Sequence, residues 1–297
     1  MLLFTLPFFT SIVFFAIDSR FSILDSRFSN HSEYTKRVRI VQPAFDMNMK
    51  VNNRAAAEKI IDTLVELSES PILDSRFSIL DLIVWPETSF PYTINSRVPM
   101  PALGVPLVVG ATYIENGRVY NAMVLTDKDG NIVDRFFKFH LVPFGEYAPI
   151  PFIPTPANLS RGAGPQMMAN FVPAICYEII FSDSLVPRGA RPDFILNITN
   201  DAWFGKLSGP FQHLDMTRRQ AIETGLPVVR ANYGGISAII DANGRVVQSL
   251  GLGVRGVIDG KIPPSRHPTI YSRIGLNGMM LLIILLSAPF LIRRRKR

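Results

Sequence analysis

Two short stretches, Asp81-Leu-Ile-Val-Trp-Pro86 and Asp193-Phe-Ile-Leu-Asn-Ile198, are apolar almost without alternation. A strand with one wet face alternates apolar and polar residues, and a strand covered on both faces does not. The pattern therefore predicts strands buried on both sides, which requires covering layers of helix or of a second sheet. Val38-Arg-Ile-Val-Gln42 reads as an earlier strand, closed by Pro43. Between it and Asp81, residues 53–67 place Ala57, Ile60, Ile61, Leu64 and Val65 at helical spacing, with Asn52 or Asn53 as cap. Strand, helix and strand in this order predict a parallel pair joined by a crossover.

Further strands are expected at 106–113, 119–126 and 131–137, the last two separated by the turn signal Lys128-Asp-Gly130. A Pro-rich loop at 143–156 precedes Val172-Pro-Ala-Ile-Cys-Tyr-Glu-Ile-Ile180, an apolar run ending at the chain's single cysteine and followed by a helix-compatible stretch to about Arg188. Residues 212–224 read as a helix, and 227–230, 236–240, 246–250 and 253–258 as strands. The fold class is α/β, one domain over 37–265 with sheets inside and helices outside.

The apolar excess behind a mean hydropathy of +0.21 sits mainly at the two ends. Residues 274–292 carry no charge, and at 1.5 Å per residue they match the ~30 Å hydrocarbon core of a bilayer. They are expected to form a transmembrane helix. The tail Arg293-Arg-Arg-Lys-Arg297 beside it favours a cytoplasmic C-terminus, which puts the domain across the membrane in a periplasm-like space. Without those five residues the net charge of +7 falls to about +2, so the basic excess is topogenic and no nucleic-acid partner is expected. Residues 1–17 are apolar but short for a span. They lack a basic start and a small-residue cleavage site, and read as a terminal or remnant membrane helix.

Asp-Ser-Arg-Phe-Ser recurs at 18–22, 25–29 and 74–78. The uneven spacing does not build a solenoid. Residues 18–36 read as a linker holding two copies, and 72–78 as an exposed insert loop between helix and strand. Loop lengthening is cheap, about 0.6 kcal/mol per doubling.

Three polar residues stand where strands end: Glu87, Lys138 and Cys176. Alone, each has an ordinary reading, a surface charge for the first two and a small buried hydrophobe for the thiol. Together they form a set for acyl transfer: a carboxylate to take the thiol proton, a thiolate to attack an acyl carbon, and an ammonium to stabilise the oxyanion. A thiol at a helix N-terminus is also expected to have a lowered pKa. His31, His140, His213 and His267 lack ligand spacing, so no metal and no cofactor are expected.

Trp85-Pro-Glu87, Phe137-Lys138, His140-Leu-Val-Pro-Phe-Gly-Glu-Tyr147, Cys176-Tyr-Glu178 and Asn197-Ile-Thr-Asn-Asp-Ala-Trp-Phe-Gly205 resemble the nitrilase superfamily, and within it the membrane branch of apolipoprotein N-acyltransferases. Gly209-Pro-Phe-Gln-His-Leu214, Arg219-Gln-Ala-Ile-Glu-Thr-Gly225 and Arg230-Ala-Asn-Tyr-Gly-Gly-Ile-Ser237 are similar to that branch as well, so the resemblance spans nearly all of 37–260. It implies an α-β-β-α sandwich with Glu87 as base, Lys138 as oxyanion stabiliser and Cys176 as nucleophile. It also implies a phospholipid donor, a Cys176 thioester, and an apolipoprotein whose diacylglyceryl-cysteine amine receives the chain at the inner membrane. Glu146 and Glu178 match two further acids of the family, with hydrogen bonds that hold loops as their alternative role. Tyr177 joins them as a supporting residue, and Trp203, like Phe204, is expected to shape the acyl site or the core. His140 and His213 are expected to be structural hydrogen-bonding residues.

The family carries several membrane helices before this domain, where here one short apolar stretch stands. The chain is accordingly expected to be a fragment, the downstream half of a split gene, or the partner of a separately encoded helical half. Three readings compete at this point: a membrane acyltransferase, an amidase or nitrilase acting on a small amide, and a non-catalytic remnant.

Overall fold

The apolar runs pair into two sheets because side chains that alternate across each strand find cover on both sides. The computed structural model describes residues 36–45, 54–72, 79–95, 98–150 and 152–294. The apolar segment 1–17, the linker 18–36 except its last residue, the insert loop beyond Ile72 and the last three residues of the basic tail lie outside the described residues.

One sheet has six strands in the order β11, β1, β2, β3, β4, β5, and the other has five in the order β10, β9, β8, β7, β6. In chain order these are β1 (Arg37–Gln42), β2 (Leu82–Val84), β3 (Leu107–Glu115), β4 (Arg118–Thr126), β5 (Ile132–Phe137), β6 (Phe171–Ile175), β7 (Phe194–Thr199), β8 (Val228–Asn232), β9 (Ser237–Ile240), β10 (Val246–Leu250) and β11 (Gly256–Lys261). The helices are α1 (Arg54–Glu69), α2 (Ser182–Leu185), α3 (Gly209–Thr224) and α4 (Ile270–Arg294). β1, β2 and β3 run parallel, as do β6, β7 and β8, and the outer strands of each sheet turn antiparallel.

The core falls into three layers that define the sandwich. Val38, Ile40, Val84, Val108 and Phe136 of the first sheet meet Ile175, Phe194, Leu196, Ile198 and Val229 of the second. The opposite faces carry Val41, Ile83, Trp85 and Val109 beneath Ile60 and Leu64 of α1, and Val172, Ala174, Ile195 and Val228 beneath Ala221 of α3. Val38 and Ile40 point inward where Val41 points outward, the two-residue period of a strand. The order of layers is helix, sheet, sheet, helix, which is the expected α-β-β-α arrangement.

Three local features differ from the sequence reading. The stretch after Cys176 is a five-residue 3-10 turn, Cys176–Ile180, followed by the four-residue α2, not one helix to Arg188. Phe181, at φ −96° and ψ 73°, breaks the run between them. The last expected strand starts at Gly256, since Gly253 takes φ +72° in the preceding turn. The C-terminal helix is interrupted at Gly275 (φ 64°, ψ −174°), which leaves a short lead-in and a long apolar segment. Its window Ile270–Ser287 has mean hydropathy 1.6 and is 6% buried, long and apolar enough to cross a membrane.

Candidate active site

Glu87, Lys138 and Cys176 follow the C-terminal ends of β2, β5 and β6, and all three are at least nine-tenths buried. Each strand end is fastened by a specific contact. Trp85 is fully buried, and its indole N–H donates to Ser68 Oγ of α1 at 2.8 Å, which fixes the turn leading to Glu87. Gly110 of β3 lies against that turn: a Cβ there would come within 2.4 Å of Pro86 O and 2.5 Å of the Glu87 Cα, so only glycine fits.

Glu87 is held through both oxygens. Oε1 accepts from Asn121 Nδ2 at 2.8 Å and lies 3.5 Å from Lys138 Nζ, and Oε2 accepts the Asn200 amide at 2.9 Å. Lys138 Nζ donates to Glu146 Oε1 at 2.9 Å, Asn121 Nδ2 donates to the same oxygen at 2.9 Å, and Glu146 Oε2 accepts the Val142 amide at 2.8 Å. Burial acts to lower the Lys138 pKa, but Glu87, Cys176 and Glu146 outweigh it, and the ammonium is held well above its ordinary value.

Cys176 sits at φ +55°, a left-handed conformation that a non-glycine residue adopts at a cost on the order of 1–3 kcal/mol. The sharp bend turns the thiol out of the β6 line toward Glu87 and Lys138, whose charges it feels. The expected lowering of the thiol pKa by a helix dipole does not occur, because the five-residue turn is no helix N-terminus of any length. Burial, followed by the negative charge of Glu87, pushes the thiol up to about 12 against the opposing pull of Lys138 and a hydrogen bond from Thr199.

The supporting residues divide by what they touch. Glu178 is fully buried and accepts three amides, Phe139 N and His140 N on Oε1 at 2.8 and 2.9 Å and Ile175 N on Oε2 at 2.9 Å. It thus ties the Lys138 strand end to the Cys176 strand end, and burial pushes its pKa up to about 7 against those donors. Tyr177 donates its hydroxyl to Leu141 O at 2.8 Å, and its ring centroid is 5.6 Å from Lys138 Nζ. Trp203 is 74% exposed and Phe204 47%, so neither belongs to the core. His140 stacks on Phe181 with ring centroids 4.2 Å apart, and His213 Nδ1 is 2.7 Å from Asp201 Oδ1.

Asn121 and Gly110 escaped the sequence reading. Asn121 carried one signal, a lone amide in the otherwise apolar run of β4, but its partners, Glu87 and Glu146, come together only on folding.

The model of one family, carbon-nitrogen hydrolase, matches residues 37–269, more than three quarters of the chain. The chain belongs to the carbon-nitrogen hydrolase family. Among solved structures, it is similar to a carbon-nitrogen hydrolase superfamily protein from Xanthomonas campestris, at 18% identity and TM-score 0.57, covering 77% of this chain and 91% of that one. A mutant of a nitrilase-superfamily amidase from Nesterenkonia gives 16% identity and TM-score 0.54 over 78% of this chain and 92% of that one. At these identities the structural likeness establishes the carbon-nitrogen hydrolase fold alone.

Curated relatives carry a narrower name. An apolipoprotein N-acyltransferase of Rhodopseudomonas palustris is 35% identical over 294 residues, covering 87% of this chain and 54% of that protein. One from Brucella melitensis is 39% identical over 259 residues, covering 78% of this chain and 48% of that protein. The chain therefore spans about half the length of these relatives.

Proposed function

We propose that this carbon-nitrogen hydrolase domain is the catalytic part of an apolipoprotein N-acyltransferase, with Cys176 as nucleophile, Glu87 as general base and Lys138 as oxyanion stabiliser. The convergence of these three buried side chains at the ends of β2, β5 and β6 carries the reading. The names of the relatives that match most of the chain support the choice of substrates.

The electrostatics define the order of events. With its pKa pushed up to about 12, the resting thiol is neutral, and one large cause of that shift is the negative charge on Glu87. Transfer of the proton to Glu87 removes that charge as the thiolate forms, so the step costs less than ionisation to solvent. The thiolate attacks an ester carbonyl of a phospholipid. An ammonium has three N–H bonds, and among the described residues Glu146 and Glu87 engage two, leaving one for the tetrahedral oxyanion. The C–O bond breaks, Glu87 returns the proton to the departing lysophospholipid alkoxide, and the acyl chain stays on Sγ as a thioester. The α-amine of a diacylglyceryl cysteine then attacks, the C–S bond breaks, Glu87 takes the amine proton, and Cys176 recovers it.

A phospholipid donor and a lipidated acceptor both reside in a bilayer, which fits a domain tied to an apolar helix of membrane-spanning length. The catalytic domain then lies on the periplasmic side of the inner membrane, with the basic C-terminus in the cytoplasm. A separately encoded helical half would supply the additional length that the relatives possess.

Reconstitution in phospholipid vesicles with a diacylglyceryl-cysteine peptide tests the reading. The expected product is the triacylated peptide, absent with Cys176→Ala. Ammonia release from small amides without that product would instead identify an amidase.

A further inference from the structure

Behind the candidate triad lies a second cluster of charge that the reaction as written does not use. Arg230 of β8 and Asp201, just past β7, are both fully buried and paired, Nη2 to Oδ2, at 2.6 Å. We propose that this pair is a positioning element that holds the base and the nucleophile in register with each other, a role that rests on the assignment of Glu87 and Cys176 given above.

Two hydrogen-bonded arms lead from the pair to the reacting groups. Along one, Arg230 Nη1 donates to Asn197 Oδ1 at 2.5 Å, and Asn197 Nδ2 donates in turn to Ala174 O at 3.0 Å and to Cys176 O at 3.2 Å. The carbonyl of the strained nucleophile is therefore two bonds from a guanidinium that never loses its charge. Along the other, Asp201 Oδ1 accepts the Thr199 hydroxyl at 3.1 Å, and Oδ2 accepts Asn232 Nδ2 at 2.6 Å. Those bonds fix the loop whose next amide, Asn200 N, donates to Glu87 Oε2 at 2.9 Å. Thr199 is also within hydrogen-bonding reach of the Cys176 thiol, so it stands between Asp201 and the nucleophile.

Further hydrogen bonds hold the guanidinium, while His213 Nε2 is buried with no hydrogen-bond partner among the described residues. Arg230 also donates to Thr217 Oγ1 at 3.1 Å and Ile236 O at 3.3 Å. His213 faces Asp201 with Nδ1, and burial, reinforced by Arg230, keeps this imidazole below its ordinary pKa and neutral. Burial acts to raise the Asp201 pKa, but Arg230 and His213 outweigh it and hold the carboxyl well below the usual carboxylate range. A buried ion pair adds little net stability over apolar residues of the same volume, so its use here is geometric.

The other sheet holds a buried pair of the same kind. Arg39 and Asp259 form a buried pair, with Nε and Nη2 each donating to the carboxylate at 2.7 Å, and Arg39 Nη1 donates to Ser68 O and Ser70 O at 2.7 and 2.6 Å. Ser68 Oγ also accepts the Trp85 indole ahead of Glu87, so this pair backs the turn that carries the base, and the exposed Arg218–Asp215 pair of α3, Nη1 to Oδ1 at 2.8 Å, serves as the control.

The test is the burst of p-nitrophenolate released when a short-chain p-nitrophenyl ester acylates Cys176 in the full-length protein in detergent micelles. The assay needs neither phospholipid nor apolipoprotein, and Cys176→Ala sets the baseline. Removing the negative charge of Asp201 would, by charge alone, ease ionisation of the thiol and quicken the burst. Positioning predicts the opposite: Asp201→Asn slows it by about 100-fold, the scale expected of a small misplacement. Asn197→Ala, which cuts one arm and leaves both charges in place, slows it by about tenfold on the same argument. Asp215→Asn, in the exposed Arg218–Asp215 pair of α3, leaves the burst rate of folded protein unchanged. If Asp201→Asn does not fold, Asn197→Ala decides. A wild-type burst that Asn197→Ala leaves unchanged, or that Asp201→Asn leaves unchanged or quickens, overturns the positioning role alone. Absence of any wild-type burst overturns it together with the nucleophile assignment. A wild-type burst without acylation by phospholipid overturns the substrate reading and leaves positioning standing.

Discussion

Lys138 Nζ lies nearer to Glu146 than to Glu87, 2.9 Å against 3.5 Å. The acid that sequence resemblance placed in a supporting role is thus the principal partner of the ammonium. Without it, Lys138 and Asn121 would both turn to Glu87 and tie up the proposed base. Glu146→Ala is expected to lower the acylation rate by about 100-fold, the scale of a lost acid-base contribution, and, because it leaves a buried ammonium and the Val142 amide short of an acceptor, to lower the melting temperature as well. Rates and melting curves on the same preparation check this.

Glu178 is expected to matter to stability more than to rate. Its three amide bonds join two strand ends, and it hydrogen-bonds none of Glu87, Lys138 and Cys176. Glu178→Gln turns one accepting oxygen into a donor that faces an amide, and leaving such a buried group unpaired costs about 1–3 kcal/mol. Denaturant titration should show that loss. Activity per folded molecule should fall by less than in Glu146→Ala.

The thiol is the group whose protonation most directly marks the resting state. Its pKa rises from 9.0 to about 12 on folding, chiefly through burial. The thiol's contribution to stability is therefore fully present below pH 9.0 and is lost as pH rises through about 12. Alkylation of Cys176 by iodoacetamide should accelerate continuously above about pH 8.5, where an ordinary free thiol is half ionised. A plateau at neutral pH would show a preformed thiolate instead.

Seven residues beyond Cys176, Asp183 accepts the Leu276 amide, with Oδ1 and Oδ2 at 3.0 and 3.2 Å. It thereby caps the long apolar segment that begins after the break at Gly275. Loss of such a cap costs about 0.5–2 kcal/mol. Asp183→Ala should slow acylation by vesicle phospholipid several-fold while leaving acylation by a soluble ester unchanged, and Asp183→Asn, which keeps an accepting oxygen, should restore the rate.

The sequence revealed the strands best where burial left a composition signal, as in Leu82–Val84 and Phe194–Thr199, whose residues are buried throughout. It also singled out Glu87, Lys138 and Cys176, because each is a polar residue at the end of an expected strand. The turn at Cys176 was not legible. Its residues suit a helix, and the departure comes from the left-handed Cys176, whose carbonyl is held by Asn197, and from Phe181, which stacks on His140. The contacts of Asn121, Asp201 and Arg230 around the candidate site were illegible for a related reason. Each is a polar residue inside or beside an apolar strand, and its meaning lies in partners 25 to 34 residues away in the chain.

The central claim is that Cys176 carries the acyl chain. The most direct measurement incubates the protein with phospholipid bearing a labelled acyl chain, isolates the protein, and locates the label by mass spectrometry before and after hydroxylamine. The account predicts one acyl group on Cys176, released by neutral hydroxylamine and absent from Cys176→Ala and Glu87→Gln. Label that resists hydroxylamine, or that persists in Cys176→Ala, would contradict it.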